Sequence, residues 1–205
     1  MKALLDYALR LKNISHLGLT YSLSEYDTER YTELRKISLA LMELAAQLPL
    51  EKLDAFFDET REYITPKVDI RGVVFNEKGE LLLVKEKHDG FWALPGGWAD
   101  IGSSPRENVV REVMEETGLQ VEPVRVLAIH DKKLHPHPPS LNYVYKIFIL
   151  CQITGGSLNS AFDILDRAFF DRNSIPPLSL PRVLPEQIAL MFDYLDNPQK
   201  PPAFD

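Results

Sequence analysis

The segment Ser104-Pro105-Arg106-Glu107-Asn108-Val109-Val110-Arg111-Glu112-Val113-Met114-Glu115-Glu116-Thr117-Gly118 marks its own ends. Ser104 can cap a helix, Pro105 suits a first helical position where the missing amide would have no partner anyway, and Glu107 completes a capping box. Gly118 supplies the left-handed residue that stops the helix. The spacing predicts a helix from Pro105 to about Thr117. Val109, Val110 and Val113 then share one face, whereas Glu112, Glu115 and Glu116 gather on the opposite side by their i, i+3, i+4 spacing. Such a helix needs an apolar surface beneath its valines and a means of tolerating three carboxylates together.

Like charges at that spacing destabilise a bare helix, and Arg111 relieves only part of the repulsion. A hard divalent cation is a natural compensator, and an oxygen-only ligand set favours Mg2+ or Mn2+. A solvated acidic face is the competing reading of the triplet taken alone.

The flanks read as strands. Val68 to Phe75 begins with alternating apolar and polar residues, Asn76-Glu77-Lys78-Gly79 is a turn cluster, and Glu80 to Val84 follows, so the pattern predicts a hairpin. Val124 to Ile129 and Leu141 to Ile153 are further strand candidates. Between them, Lys132 to Ser140 carries His135-Pro136-His137-Pro138-Pro139 and reads as a loop. Ile188, Met191, Phe192 and Leu195 predict a closing helix, with Pro185 in its first turn.

Residues 1–64 have a helical texture instead. Leu4, Leu5, Ala8, Leu9 and Leu11 form one periodic run; Tyr31, Leu34, Ile37, Leu41, Leu44 and Ala45 form a second; Leu53, Phe56, Phe57 and Tyr63 form a third. Thr65-Pro66 disfavours continuation of a helix. The expected organisation is therefore a small helical domain over 1–64 and a second domain over 65–205. Some 60 residues of amphipathic helix bury limited surface alone, so docking on a second copy, giving a homodimer, is the expected remedy.

Lys and Arg number 23 against 30 Asp and Glu, a formal net charge of −7 with pI near 5.3, which argues against a broad nucleic-acid footprint and a stable nucleic-acid partner. The single cysteine, Cys151, lies in an apolar run and reads as core packing. No apolar stretch reaches the length of a membrane span and Met1 to Asp6 does not resemble a signal peptide, so the expected compartment is the cytoplasm.

Gly97-x5-Ser103-x7-Arg111-Glu112-Val113-x-Glu115-Glu116-x-Gly118-Leu119 resembles the Nudix box, the signature of Nudix hydrolases. All of its fixed identities but one are present. At about one in twenty per identity, such a match arises by chance on the order of once in a hundred thousand chains. Phe91 to Trp98 is similar to the family's usual approach strand, and the order strand, box, strand extends the resemblance over roughly residues 66–200.

The resemblance implies an α/β/α sandwich with a mixed sheet and hydrolysis of a nucleoside diphosphate linked to another moiety. It implies Glu112, Glu115 and Glu116 as metal ligands, with the Gly96 carbonyl an additional one and Glu112 or a carboxylate outside the box assisting the attacking water. Arg111 would orient the carboxylates, and Gly97 would allow close approach of backbone to ligand. The chemistry needs this: water must attack a phosphorus shielded by negative oxygens, so cations must neutralise the phosphates and make bound water more acidic. Ser103 departs from the pattern, standing where the box has its first glutamate; Asp100, Asp163 and Asp166 are candidate substitutes. The stretch Ser24 to Tyr31 resembles the helical extension of a bacterial subgroup of ADP-ribose or CDP-choline pyrophosphatases. A non-catalytic nucleotide-sugar sensor and an exonuclease trimming RNA 3′ ends are the rival readings.

Arg71 is either a bidentate phosphate contact or a solvent-facing strand residue. Trp92, Trp98, Tyr143 and Tyr145 are candidates for stacking a nucleobase, with Trp98 taken as a substrate-binding residue, and each has a core reading beside it. His135 and His137 do not complete a zinc pattern, and their loop is expected to be mobile and to face substrate.

Overall fold

The computed structural model describes residues 2–46, 65–100, 102–159 and 164–205. The chain divides into two compact units, Met1–Thr65 with Pro139–Leu141, and Pro66–Pro138 with Asn142–Asp205.

The first unit contains two helices, α1 (Lys2–Tyr21) and α2 (Glu25–Ala46). Ser24 starts α2: its Oγ accepts from the Asp27 amide at 3.1 Å. The pair meets through small residues. Ala8, Ser15 and Ser38 are fully buried, and a Cβ on Gly18 would lie 2.3 Å from the Tyr31 ring. The buried stripe of α2 is Ser38, Leu39 and Met42, whereas Ile37 and Leu44, expected to face inward, are exposed. Close approach of the helices selected the small and flexible side chains. The third periodic run, Leu53 to Tyr63, lies outside the described residues.

The second unit contains β1 (Lys67–Val74), β2 (Leu81–Glu86), β3 (Trp92–Ala93), β4 (Gly96–Trp98), α3 (Pro105–Thr117), β5 (Leu119–Asp131), a single 3-10 turn (Lys132–Leu134), β6 (Val144–Gly156), β7 (Ile164–Phe170), α4 (Pro185–Asp196) and β8 (Ala203–Phe204). A mixed sheet runs β4-β1-β6-β5-β8, with β1 parallel to β6 and antiparallel to β4. A second, antiparallel sheet runs β3-β2-β7.

The period of two in the strands feeds two cores. Ile70, Val74, Leu82, Val121 and Ile149 pack with Val109 and Val113 of α3. Val73, Leu81, Leu83, Leu127 and Phe148 pack with Ile188, Met191 and Phe192 of α4. The strands thus lie between one helix and the other, the expected α/β/α arrangement. Gly72 makes the α3 contact possible, since a Cβ there would stand 2.6 Å from Val113 Cγ2.

The predicted hairpin is corrected in one respect. Its turn forms, with the Asn76 amide donating to the Glu80 carbonyl and Phe75 bridging Leu81, but β1 and β2 then part into different sheets. Strand β7, which the sequence analysis did not identify, takes the place beside β2, its alternation interrupted by Asp166-Arg167. Cys151 is buried as expected, and burial pushes its thiol up to about 12. Among the described residues, no helix is long and apolar enough to cross a membrane.

Candidate active site

The capped helix forms as its residues require. Ser104 Oγ accepts from the Glu107 amide, the Glu107 carboxylate accepts from the Ser104 amide at 2.7 Å, and Gly118 closes α3 at φ 78°. β4 lies opposite β1, pairing Gly96 with Arg71 and Trp98 with Asp69. Gly96 adopts φ 135°, and a Cβ there would lie 2.0 Å from the Ile70 carbonyl oxygen, so only glycine fits.

A cavity of about 520 Å³ opens at this edge. α3 contributes Glu112 and Glu116 to its wall, β4 contributes Gly96, Gly97 and Trp98, and β1 contributes Asp69 and Arg71. Glu86, Asp89, Lys132 and Arg182 complete its charged lining. Of the three box glutamates, Glu115 stands apart, with a side chain 62% exposed. Arg111 also lies off the wall. Its guanidinium pairs with Asp100 at 2.8 Å and reaches Glu112 at 3.5 Å and Glu115 at 3.9 Å, which holds it among the acidic groups of the box.

Burial pushes Glu116 up to about 8, opposed by the Arg71 charge and by the Gly96 amide, which donates to Glu116 Oε2 at 2.8 Å. Burial also raises Glu112 and Glu86. Carboxylates held so reluctantly in their charged form await a cation. Among the described residues, no three His, Cys, Asp or Glu side chains converge into a ready-made cage. Mg2+ does not need one, because it keeps waters and takes substrate phosphates alongside one or two carboxylates. The donors fit that requirement. Glu112 and Glu116 offer hard oxygen donors, and Gly97 leaves room where a Cβ would come 3.0 Å from Glu112 Oε2.

Arg71 is not solvent-facing: it is 5% exposed. Its Nε donates to Asp69 Oδ1 at 2.9 Å and its Nη1 to the Leu94 carbonyl at 3.0 Å. Lys146, opposite Asp69 in the β1–β6 register, holds the other Asp69 oxygen. Burial works to raise the Asp69 carboxyl, and the two cations overcome it and hold it below its ordinary value. Trp98 is half exposed on the cavity wall with Lys67 over its ring, whereas Trp92 packs edge-on against Phe170 in the core. Tyr143 faces Lys133, and Tyr145 lies exposed on β6.

Of the loop expected to face substrate, Lys132 lines the cavity. Neither His135 nor His137 lines the cavity. His137 is buried, bonding the Leu180 carbonyl through Nδ1 and Gln187 through Nε2, and His135 stacks on His130 while bonding Asp205. Asp100 is engaged with Arg111, Asp166 lies outside the cavity, and Asp163 falls outside the described residues.

Sequence reasoning missed Asn108. It is 1% exposed, its Oδ1 accepts from the Asp100 amide and from Arg111, and its Nδ2 donates to the Ser103 and Ser104 carbonyls. One side chain thereby fixes the box loop and the arginine. The available signal was an asparagine, a poor helix former, inside an otherwise well-made helix. Glu86, Asp89, Lys132 and Arg182 carried no comparable signal.

Residues 65–187 match the NUDIX domain family, and residues 2–57 match Nudix_N, described as a UDP-X-like N-terminal oligomerisation domain. The chain belongs to the Nudix hydrolase family. More particularly, it is 43% identical over 201 residues to YjhB of Bacillus subtilis (strain 168), provisionally named an ADP-ribose pyrophosphatase, covering 98% of this chain and 96% of that one. A solved ADP-ribose pyrophosphatase from Streptococcus suis 89-1591 is 42% identical with a TM-score of 0.62, covering 69% of this chain and 100% of that one. A solved UDP-X diphosphatase is 30% identical with a TM-score of 0.64, covering 98% and 97%. These relatives agree with the expectation of a Nudix pyrophosphohydrolase.

Proposed function

We propose that the chain hydrolyses the pyrophosphate bond of a nucleoside diphosphate linked to another moiety, with ADP-ribose the foremost substrate and Mg2+ or Mn2+ as cofactor. The observation that carries this reading is the pairing of Glu112 and Glu116, both buried enough to resist ionisation, on one cavity wall beside Gly96 and Gly97.

In this reading Glu112, Glu116 and the Gly96 carbonyl would hold the metal, with Glu115, off the cavity wall, as the further box carboxylate. The bound metal neutralises phosphate charge and acidifies the attacking water. Arg111, itself fixed by Asn108 and Asp100, keeps the glutamates from repelling one another. Arg71 braces Asp69 and the Leu94 carbonyl behind β4 and adds positive charge to the wall. Trp98 offers an exposed ring to the base. Water adds to one phosphorus, the bridging P–O bond breaks, and the products are a nucleoside monophosphate and the phosphorylated partner moiety. Glu112, or a carboxylate outside the box, would take the proton of the attacking water.

CDP-choline remains the second substrate of this reading, and the UDP-X diphosphatase likeness adds UDP-linked compounds. Residues 1–64 serve as a dimerisation domain, supported by the oligomerisation domain matched there. The decisive experiment incubates the full chain with ADP-ribose, CDP-choline and a UDP-sugar, with Mg2+ and with chelator, and resolves the products. A pair of monophosphates formed only with metal is expected; release of pyrophosphate from nucleoside triphosphates as the preferred reaction would overturn the assignment.

A further inference from the structure

The ion pairs inside the cavity leave one of its cations without a carboxylate partner. Apart from the box glutamates, Asp69, Glu86 and Asp89 line it. Asp69 is shared between Arg71 and Lys146, and Arg182 pairs with Glu86 at 2.9 Å and Asp89 at 3.1 Å. Of the three cations that line the cavity, Arg71, Arg182 and Lys132, only Lys132 is left without such a partner among the described residues. Its ammonium makes no ion pair with any described residue. Burial lowers its proton affinity, aided by Arg71 and Arg182 and opposed by Asp69. A half-buried ammonium with no carboxylate of its own, beside two other cations, is disfavoured until an anion arrives.

The backbone around Lys132 is fastened from a distance. β8 runs parallel to β5, pairing Ala203 with Ala128 and Phe204 with Ile129. The Asp205 amide donates to the Ile129 carbonyl, and Asp205 Oδ2 accepts from the Asp131 amide at 2.8 Å and bonds His135 Nε2 at 2.9 Å. Asp131 in turn caps the 3-10 turn, accepting from the Lys133 amide at 2.9 Å. One carboxylate thus grips both ends of the turn that presents Lys132.

We propose that Lys132 binds the diphosphate of the substrate and that Asp205 is the positioning residue that holds Lys132 in place. The proposal rests on the reading of the cavity as a diphosphate site. A positive charge on a flexible stem suits it, reaching the phosphate oxygens from the cavity wall. Because the contact is made equally in the ground state and the transition state, its loss raises KM and leaves kcat nearly unchanged.

The test compares Lys132→Met, Lys132→Arg, Asp205→Ala and the double variant Lys132→Met/Asp205→Ala. ADP-ribose turnover and calorimetric titration with inorganic pyrophosphate are both measured in Mg2+. Lys132→Met is expected to raise KM and weaken pyrophosphate binding by about tenfold, with kcat within about twofold, and Lys132→Arg to restore most of both. Asp205→Ala is expected to raise KM by about threefold alone and to add nothing in the Lys132→Met background. Unchanged KM and pyrophosphate affinity in Lys132→Met would overturn the subsite, and an undiminished Asp205→Ala effect in the double variant would overturn the positioning role. If the wild-type protein turned over no diphosphate derivative, the functional reading would fail, and the pyrophosphate titration would still decide for or against Lys132.

Discussion

Glu116 Oε2 accepts a hydrogen bond from the Gly96 amide at 2.8 Å, tying α3 to β4 across the mouth of the box. Glutamine in its place keeps an acceptor for that amide and loses the charge. Glu116→Gln should lower kcat by roughly 100-fold or more while leaving thermal unfolding at the same temperature or higher, since burial already disfavours the carboxylate. Glu115→Gln, on an exposed side chain, should lose less. Steady-state kinetics beside thermal melts check both, and an active Glu116→Gln would remove this residue from the chemistry.

Metal dependence should appear in stability as well as rate. A chelator should abolish turnover, and Mg2+ at a hundred times its Kd should stabilise the fold by about 2.7 kcal/mol. A melting temperature indifferent to Mg2+ would speak against binding at Glu112 and Glu116.

Asn108 is buried with all of its polar atoms engaged, so Asn108→Ala strands the partners it leaves. The expected cost is roughly 2–3 kcal/mol, read as a lower midpoint in urea. Activity should fall as well, since Arg111 loses its brace.

His137 donates through Nδ1 to the Leu180 carbonyl and accepts at Nε2 from Gln187, whose Oε1 is committed to the Leu184 amide. That arrangement requires the neutral ring, and burial, partly offset by the Leu180 hydrogen bond, pushes its pKa down to about 4. The unfolded chain, protonating near 6.5, binds the proton first, so this contribution to stability is complete above pH 6.5 and is lost as pH falls toward 4. The full loss is on the order of 3 kcal/mol. Denaturation midpoints of the wild type and His137→Gln across pH 4–7 should converge at the acid end; parallel curves would refute the tautomer assignment.

On the first unit, Leu4, Tyr7 and Ile14 of α1 and Ile37 and Leu44 of α2 are exposed. Apolar surface of this kind in a matched oligomerisation domain calls for a second copy. Sedimentation of the full chain should give a dimer, and the pair Ile37→Glu and Leu44→Glu a monomer. A variant that remains dimeric would move the interface elsewhere.

The box was legible because its signals are local. Gly72 and Gly97, by contrast, gain their meaning only from Val113 and Glu112, which approach them from another element. The exposure of Ile37 and Leu44 was illegible for a related reason: a helical period names several faces, and packing against a small-residue partner chose Ser38, Leu39 and Met42.

By itself the sequence determined α3 with both of its ends, the change from helical to strand texture near Thr65, and the family. Caps, turns and hydrophobic periods are interactions among residues a few positions apart, and those survive in any context. Only the tertiary structure decided that β2 leaves the sheet of β1, that Arg71 is spent on Asp69, that Glu115 stands off the cavity wall, and that Lys132 joins it. Each of those outcomes depends on partners tens of residues away, such as Asp205 beside Asp131 or Lys146 beside Asp69, whose encounter is set by strand order and register rather than by any pattern in the intervening chain.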